Sequence, residues 1–112
     1  MDLVPDTDVE AVEAVAGVFL TQGATGAKTS IQRFEFDPGE SVPKHDHPHE
    51  QIGVITEGTL TFIIDGEELV AESGDTYVIP GDEPHAAVNR GDESAIGYEV
   101  FSPPRTNPDW QE

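Results

Sequence analysis

The sequence predicts a single all-β domain, and three observations carry this prediction. From Val15 onward, nine short runs rich in Val, Ile, Phe and Thr are separated by turn-forming segments such as DPGE, DG and PGDEP. Side chains alternate within the runs, so that Phe34 and Phe36 share one face of their run with Gln32. No segment has the apolar period of a long helix. These features indicate a β-sandwich or barrel, with room for one small-ligand pocket.

The chain of 112 residues is long enough for one domain. We predict an N-terminal arm or edge strand over residues 1–14, a barrel over residues 15–105 and a C-terminal tail over residues 106–112. Within the barrel, the pair Asp65-Gly66 between two strand-like runs predicts a two-residue hairpin turn.

The composition excludes several classes of protein. The chain has 23 acidic and 5 basic side chains, for a formal net charge of −18, and it lacks the basic surface that nucleic acid requires. It contains neither an apolar run long enough to span a membrane nor a signal peptide, so we expect a cytoplasmic protein. It has no cysteine, which excludes disulfides and thiolate metal sites.

The strong acidity has three interpretations: disorder, a cation-binding surface, or adaptation to high salt. Disorder is disfavoured because 36% of the residues are hydrophobic and fall in compact runs. The carboxylates are spread along the chain rather than clustered. Concentrated salt screens repulsion among surface carboxylates, and the chain has only two lysines, so we predict a halophilic source.

The four histidines are candidate metal ligands. His45 and His47 are two residues apart, so on a strand both imidazoles project from the same face. His49 has the same parity but follows Pro48, which bends the chain. The alternative for such a group is a set of solvent-facing histidines in an acidic loop.

The residues around these histidines match two spaced motifs, and with them the sequence resembles the cupin family. The family's motifs are G-x5-H-x-H-x(3,4)-E-x6-G and G-x5-P-x-G-x2-H-x3-N. The positions that match, in chain order, are Gly39, His45, His47, Gly58, Gly74, Pro80, His85 and Asn89. The resemblance implies the cupin double-stranded β-helix, a jelly-roll barrel.

The sequence departs from the motifs at two positions. Asp82 stands where the second motif has Gly, and Asp tolerates turn geometry. Gln51 stands where the first motif has Glu. The resemblance then implies one divalent metal held by His45, His47, Gln51 and His85. Because all four ligands are neutral, the ion keeps its full charge and should favour an anionic ligand.

Nitrogen and oxygen ligands suit Zn, Ni, Mn, Fe or Co, and the sequence does not choose among these metals. The alternative is a cupin whose site is metal-free and serves only to bind a ligand.

The last strand-like run and the segment after it suggest a reaction. Glu99 and Phe101 share one face of this run, although a glutamate near a strand end is usually solvated. The segments HPHEQIG and VFSPPR resemble a subgroup of small cupins that convert 4,5-unsaturated monouronates to the linear keto form. That resemblance implies that Glu99 moves a proton, that Phe101 shapes the pocket and that Arg105 binds the substrate carboxylate. The subgroup usually has Asp at the position of Glu99. The alternative for Arg105 is a surface charge paired with Asp109 or another acidic residue.

We therefore expect a metal-dependent enzyme acting on a small anionic sugar acid. The alternatives are an iron- or nickel-dependent dioxygenase, a sugar isomerase or epimerase, and a non-catalytic ligand-binding cupin. We also expect a homodimer, because pairing across an exposed sheet edge would cover that edge.

Overall fold

A computed structural model describes residues 1–105, and the predicted tail over residues 106–112 lies outside this range. Ten strands follow a single-turn 3-10 helix at Asp6–Asp8. The strands are β1 Val12–Val15, β2 Val18–Thr25, β3 Ser30–Phe36, β4 Ser41–His45, β5 Glu50–Glu57, β6 Thr59–Ile64, β7 Glu67–Glu72, β8 Thr76–Ile79, β9 His85–Val88 and β10 Ala95–Ser102. The all-β prediction is confirmed. No helix within residues 1–105 is long and apolar enough to cross a membrane.

The strands form two antiparallel sheets. One sheet has six strands in the order β1-β2-β3-β10-β5-β8, and the other has four strands in the order β4-β9-β6-β7. In β3 every second side chain is buried, from Ser30 to Phe36, as the alternation predicts. The same pattern holds in β10, where Glu99 and Phe101 face the interior.

The core lies between the two sheets. The six-stranded sheet contributes Phe34 and Ile55, and the four-stranded sheet contributes Leu60; all three are at most 1% exposed. Each buried side chain of this size contributes roughly 1.5–3 kcal/mol to the free energy of folding, so the contact between these residues holds the two sheets together. The two sheets thereby enclose a barrel with polar residues at one end.

The structure has one strand more than the nine runs of the sequence. Val12–Val15 forms β1 at the edge of the larger sheet, pairing with β2 across a turn that contains Gly17. Gly17 has φ +72, a left-handed conformation that interrupts the run VAGVFLTQ. The boundary drawn after residue 14 therefore falls inside β1.

The predicted hairpin at Asp65-Gly66 is confirmed. It joins β6 to β7, with Ile64 and Glu67 as the last cross-strand pair. Both turn residues have positive φ, 51 for Asp65 and 78 for Gly66, as a type I′ turn requires.

Candidate metal centre

Three of the four histidines converge at the polar end of the barrel. His45 ends β4 and His85 begins β9, and the two are cross-strand partners in the four-stranded sheet. His47 follows two residues after His45, in the loop before β5. One ligating atom from each of the three residues lies within 4.8 Å of the others. This spacing allows the three imidazoles to bind one ion.

Backbone carbonyl groups orient the three imidazole rings. The Nδ1 atoms of His45, His47 and His85 lie 2.9, 3.1 and 2.8 Å from the carbonyl oxygens of Pro43, His49 and Glu83, respectively. A carbonyl oxygen only accepts hydrogen bonds, so each Nδ1 carries the proton and each Nε2 keeps its lone pair. This is the tautomer in which Nε2 binds a metal.

The turn before β9 also holds His47 in place. The backbone N–H of Asp82 donates to the carbonyl oxygen of His47 at 2.8 Å. Asp82 has φ 65, the left-handed conformation that the Gly of the family motif would adopt without strain. Asp is among the few other residues that tolerate it, so the loop keeps its shape.

Gln51 completes the set of candidate ligands. Its Nε2 donates to Glu99 Oε1 at 2.7 Å, and its Oε1 lies 2.9 Å from His47 Nε2. Because a carboxylate only accepts, the amide nitrogen must face Glu99 and the amide oxygen must face the histidines. With His47 protonated at Nδ1, two lone-pair atoms then face each other, an arrangement that a cation stabilises. The donor set therefore fits a divalent metal.

The surroundings of His47 and His85 favour the neutral imidazole, which is the form that binds metals. Burial, the Arg105 guanidinium and His85 lower the pKa of His47 to about 4. Burial also lowers the pKa of His85. At pH 7 a proton therefore does not compete for the ligating nitrogen of His47.

Glu99 is a buried carboxylate held by three neutral donors. Its Oε1 accepts from Gln51 Nε2 at 2.7 Å and from the Tyr77 hydroxyl at 2.7 Å, and its Oε2 accepts from Gln32 Nε2 at 3.1 Å. Glu99 itself is 9% exposed. The alternative of a solvated glutamate is therefore wrong.

Gln32 and Tyr77 belong to this hydrogen-bond network but were not predicted as site residues. A signal existed for Gln32, since it shares the inward face of its strand with Phe34 and Phe36. Its Oε1 atom is buried and has no hydrogen-bond partner among residues 1–105. Burial and the adjacent Glu99 raise the pKa of Tyr77, so its phenol stays protonated.

The site opens into a cavity of about 390 Å³ inside the barrel. The cavity has an apolar part, formed by side chains that include Phe34, Leu60 and Phe62. The cavity is also lined by the candidate site residues His45, Gln51, His85, Glu99, Phe101 and Arg105. A small ligand entering this space would meet three of the four candidate metal ligands, the carboxylate and the arginine together.

Arg105 lies beside Phe101 and close to the histidines. Its guanidinium carbon is 5.3 Å from the centroid of the Phe101 ring, within range of a cation–π contact. Its backbone N–H donates to Ser30 Oγ at 2.9 Å. Its charge lowers the pKa of both His47 and His49. The alternative partner Asp109 lies outside the described residues.

His49 lies next to the triad without joining it. Its ring centroid is 5.4 Å from that of His47 and 6.1 Å from that of Phe101. Burial is the main cause that lowers its pKa. The Pro48 bend thus separates it from the three converging histidines.

Comparison with known proteins decides the family. The Cupin domain family profile matches residues 32–101, which include all three converging histidines. The chain belongs to the cupin family. This cupin shares the fold of the KdgF protein from Halomonas sp., with a TM-score of 0.86 at 23% identity over 96% of this chain and 97% of the other.

Curated relatives with assigned names match parts of this cupin. The pectin degradation protein KdgF of Dickeya dadantii is 33% identical over 64 residues, which are 57% of this chain and 56% of the relative. The H2HPP isomerase of Bacillus subtilis is 33% identical over 69 residues, 62% of this chain but only 29% of the relative. The cupin thus spans little more than half the length of one relative and under a third of the other, and the names of both suggest enzymatic activity.

Proposed function

We propose that this cupin is a metal-dependent enzyme that converts a 4,5-unsaturated monouronate to its linear keto form. The observation that carries the proposal is that candidate metal ligands, a buried carboxylate and an arginine line the same cavity. The relative named as a pectin degradation protein supports a sugar-acid substrate. The relative named as an isomerase supports a reaction without net gain or loss of atoms.

The metal would be held by the Nε2 atoms of the three converging histidines and by the Oε1 atom of Gln51. When bound, a divalent ion at this site supplies a Lewis acid that stabilises negative charge on substrate oxygens. Zn, Ni, Mn, Fe and Co all suit these ligands. The Glu99 carboxylate is hydrogen-bonded to Gln51, and its negative charge would partly balance the charge of the ion.

Arg105 would bind the substrate carboxylate. Its guanidinium has the planar donor pattern that pairs with a carboxylate through two hydrogen bonds. Its guanidinium lies over the Phe101 ring, and its backbone N–H is hydrogen-bonded to Ser30. The ring of Phe101 then forms an apolar wall beside the sugar.

Glu99 would transfer the proton. A carboxylate accepts about four hydrogen bonds, and three positions are occupied, which leaves one on Oε2. Glu99 would take the proton of the anomeric hydroxyl as the bond between C1 and the ring oxygen breaks. It would then deliver that proton to C4, so that the enolate left on the former ring oxygen becomes a ketone at C5.

The test is direct incubation with a 4,5-unsaturated monouronate, before and after removal of metal with a chelator. We expect the ultraviolet absorbance of the conjugated double bond to fall, NMR to show the linear keto acid, and oxygen to remain unconsumed. No turnover by the metal-loaded protein would contradict the proposal. Consumption of oxygen would favour a dioxygenase instead.

A further inference from the structure

Tyr77 contacts the metal-site network from outside the cavity. Its hydroxyl donates to Glu99 Oε1, the same oxygen that accepts from Gln51. Tyr77 lies on β8 and does not line the cavity that holds the candidate ligands. Its ring packs on Phe62, with the two centroids 4.5 Å apart. The hydroxyl therefore reaches Glu99 across the intervening strand β5.

Gly53 makes this reach possible. In β5 it is the cross-strand partner of Glu99 on one side and of Tyr77 on the other. A Cβ atom at residue 53 would collide with the hydroxyl and the ring of Tyr77. The missing side chain at this position opens the route by which the phenol reaches the carboxylate.

The contact between Tyr77 and Glu99 affects the orientation of the Gln51 amide. An amide presents either oxygen or NH₂ in a given direction, and only the oxygen binds a metal. Glu99 selects the orientation, because a carboxylate accepts from NH₂ and repels the oxygen. Tyr77 in turn holds Glu99 Oε1 at the position from which it accepts this bond.

We propose that Tyr77 is a positioning residue which, through Glu99, keeps the Gln51 oxygen directed at the metal, and that Gly53 is the residue that permits this contact. The inference rests on the metal centre of the proposed function but not on its substrate. Its test therefore measures metal affinity, and failure of the uronate reaction would leave the result interpretable.

The experiment compares Zn²⁺ affinity of the wild-type chain and of Tyr77→Phe by competition with a chromophoric chelator. Removing a group that orients a metal ligand weakens binding by about 10–100-fold, and we expect about tenfold here. Tyr98→Phe is the matched control: it removes a phenol from a residue of β10 that is 41% exposed, and it should leave the affinity unchanged.

A double-mutant cycle separates positioning from a general loss of structure. In a Gln51→Ala background no amide remains to be oriented, so adding Tyr77→Phe should change the affinity less than about twofold. Gly53→Ala should reproduce the loss seen in Tyr77→Phe, because it displaces the same hydroxyl by a different route.

Three results would overturn the proposal. One is an unchanged affinity in Tyr77→Phe, and another is an equal loss from Tyr77→Phe with and without Gln51. The third is a wild-type protein that binds no Zn²⁺.

Discussion

The two sheets contribute different chemistry to the site. The four-stranded sheet provides His45 and His85, which we call the histidine wall. The six-stranded sheet provides the carboxylate wall, which comprises Gln32, Gln51, Tyr77 and Glu99. In the histidine wall each ligand is oriented by a nearby backbone carbonyl. In the carboxylate wall the side chains orient one another across four strands, so its geometry depends on strand register.

The largest expected effect on metal affinity comes from removing a ligand of the histidine wall. His85→Ala removes one of three imidazole ligands, and we expect metal affinity to fall by about a hundredfold or more, since a ligand matters more than the groups that orient it. Isothermal titration with Zn²⁺ measures the change. His49→Asn is the control, because His49 lies outside the triad, and it should retain the affinity within about threefold. Equal losses in the two variants would contradict the assignment of ligands.

Loss of the carboxylate should act on turnover more than on metal content. Glu99→Gln keeps the size of the side chain but removes its capacity to accept a proton. We expect kcat for the unsaturated monouronate to fall by about 10²–10⁴-fold, the usual contribution of general acid–base catalysis. Steady-state kinetics on protein with a measured metal content provides the comparison. A variant with full metal and unchanged kcat would remove Glu99 from proton transfer.

Replacing Arg105 tests how the substrate carboxylate is recognised between the two walls. A hydrogen bond to a charged group contributes about 1.5–3 kcal/mol, so Arg105→Ala should raise KM for the uronate by about 10–100-fold. A neutral sugar of the same size should bind the variant and the wild type almost equally, as judged by competitive inhibition. An identical loss for charged and neutral sugars would mean that Arg105 does not bind the carboxylate.

The smallest expected effect is the dependence of stability on salt, which follows from the acidity of the chain. Salt screens repulsion among surface carboxylates, so the free energy of unfolding should rise by on the order of 1 kcal/mol between about 0.1 M and about 2 M KCl. Urea denaturation at each salt concentration measures the free energy of unfolding, and a neutral osmolyte in place of KCl is the control. A protein most stable in dilute buffer would contradict the predicted halophilic origin.

The sequence predicted the histidine wall more fully than the carboxylate wall. Motif spacing is local, and it located His85 at the start of a later strand; His45 and His47 converge with it, although His47 lies in the loop after β4 rather than on the strand that the parity argument assumed. The alternation also predicted that Glu99 and Phe101 share one face, and both are buried.

The Tyr77–Glu99 contact could not be predicted, because it depends on which strands flank β5 and on their register. Only the pairing of Gly53 with both residues brings the phenol to the carboxylate. The alternation placed Gln32 on the same face as Phe34 and Phe36, but its bond to Glu99 also required the β3–β10 pairing. A homodimer and a cytoplasmic location remain predictions from composition and edge exposure.

The central claim is that this barrel holds one divalent metal between the two walls. The most direct measurement is metal analysis of the native protein purified without a histidine tag, followed by X-ray absorption spectroscopy at the edge of the metal found. We predict about one metal per chain, coordinated by three imidazole nitrogens and at least one oxygen, with the oxygen signal reduced in Gln51→Ala. A chain that takes up no metal after incubation with Zn, Ni, Mn, Fe and Co in turn would contradict the claim.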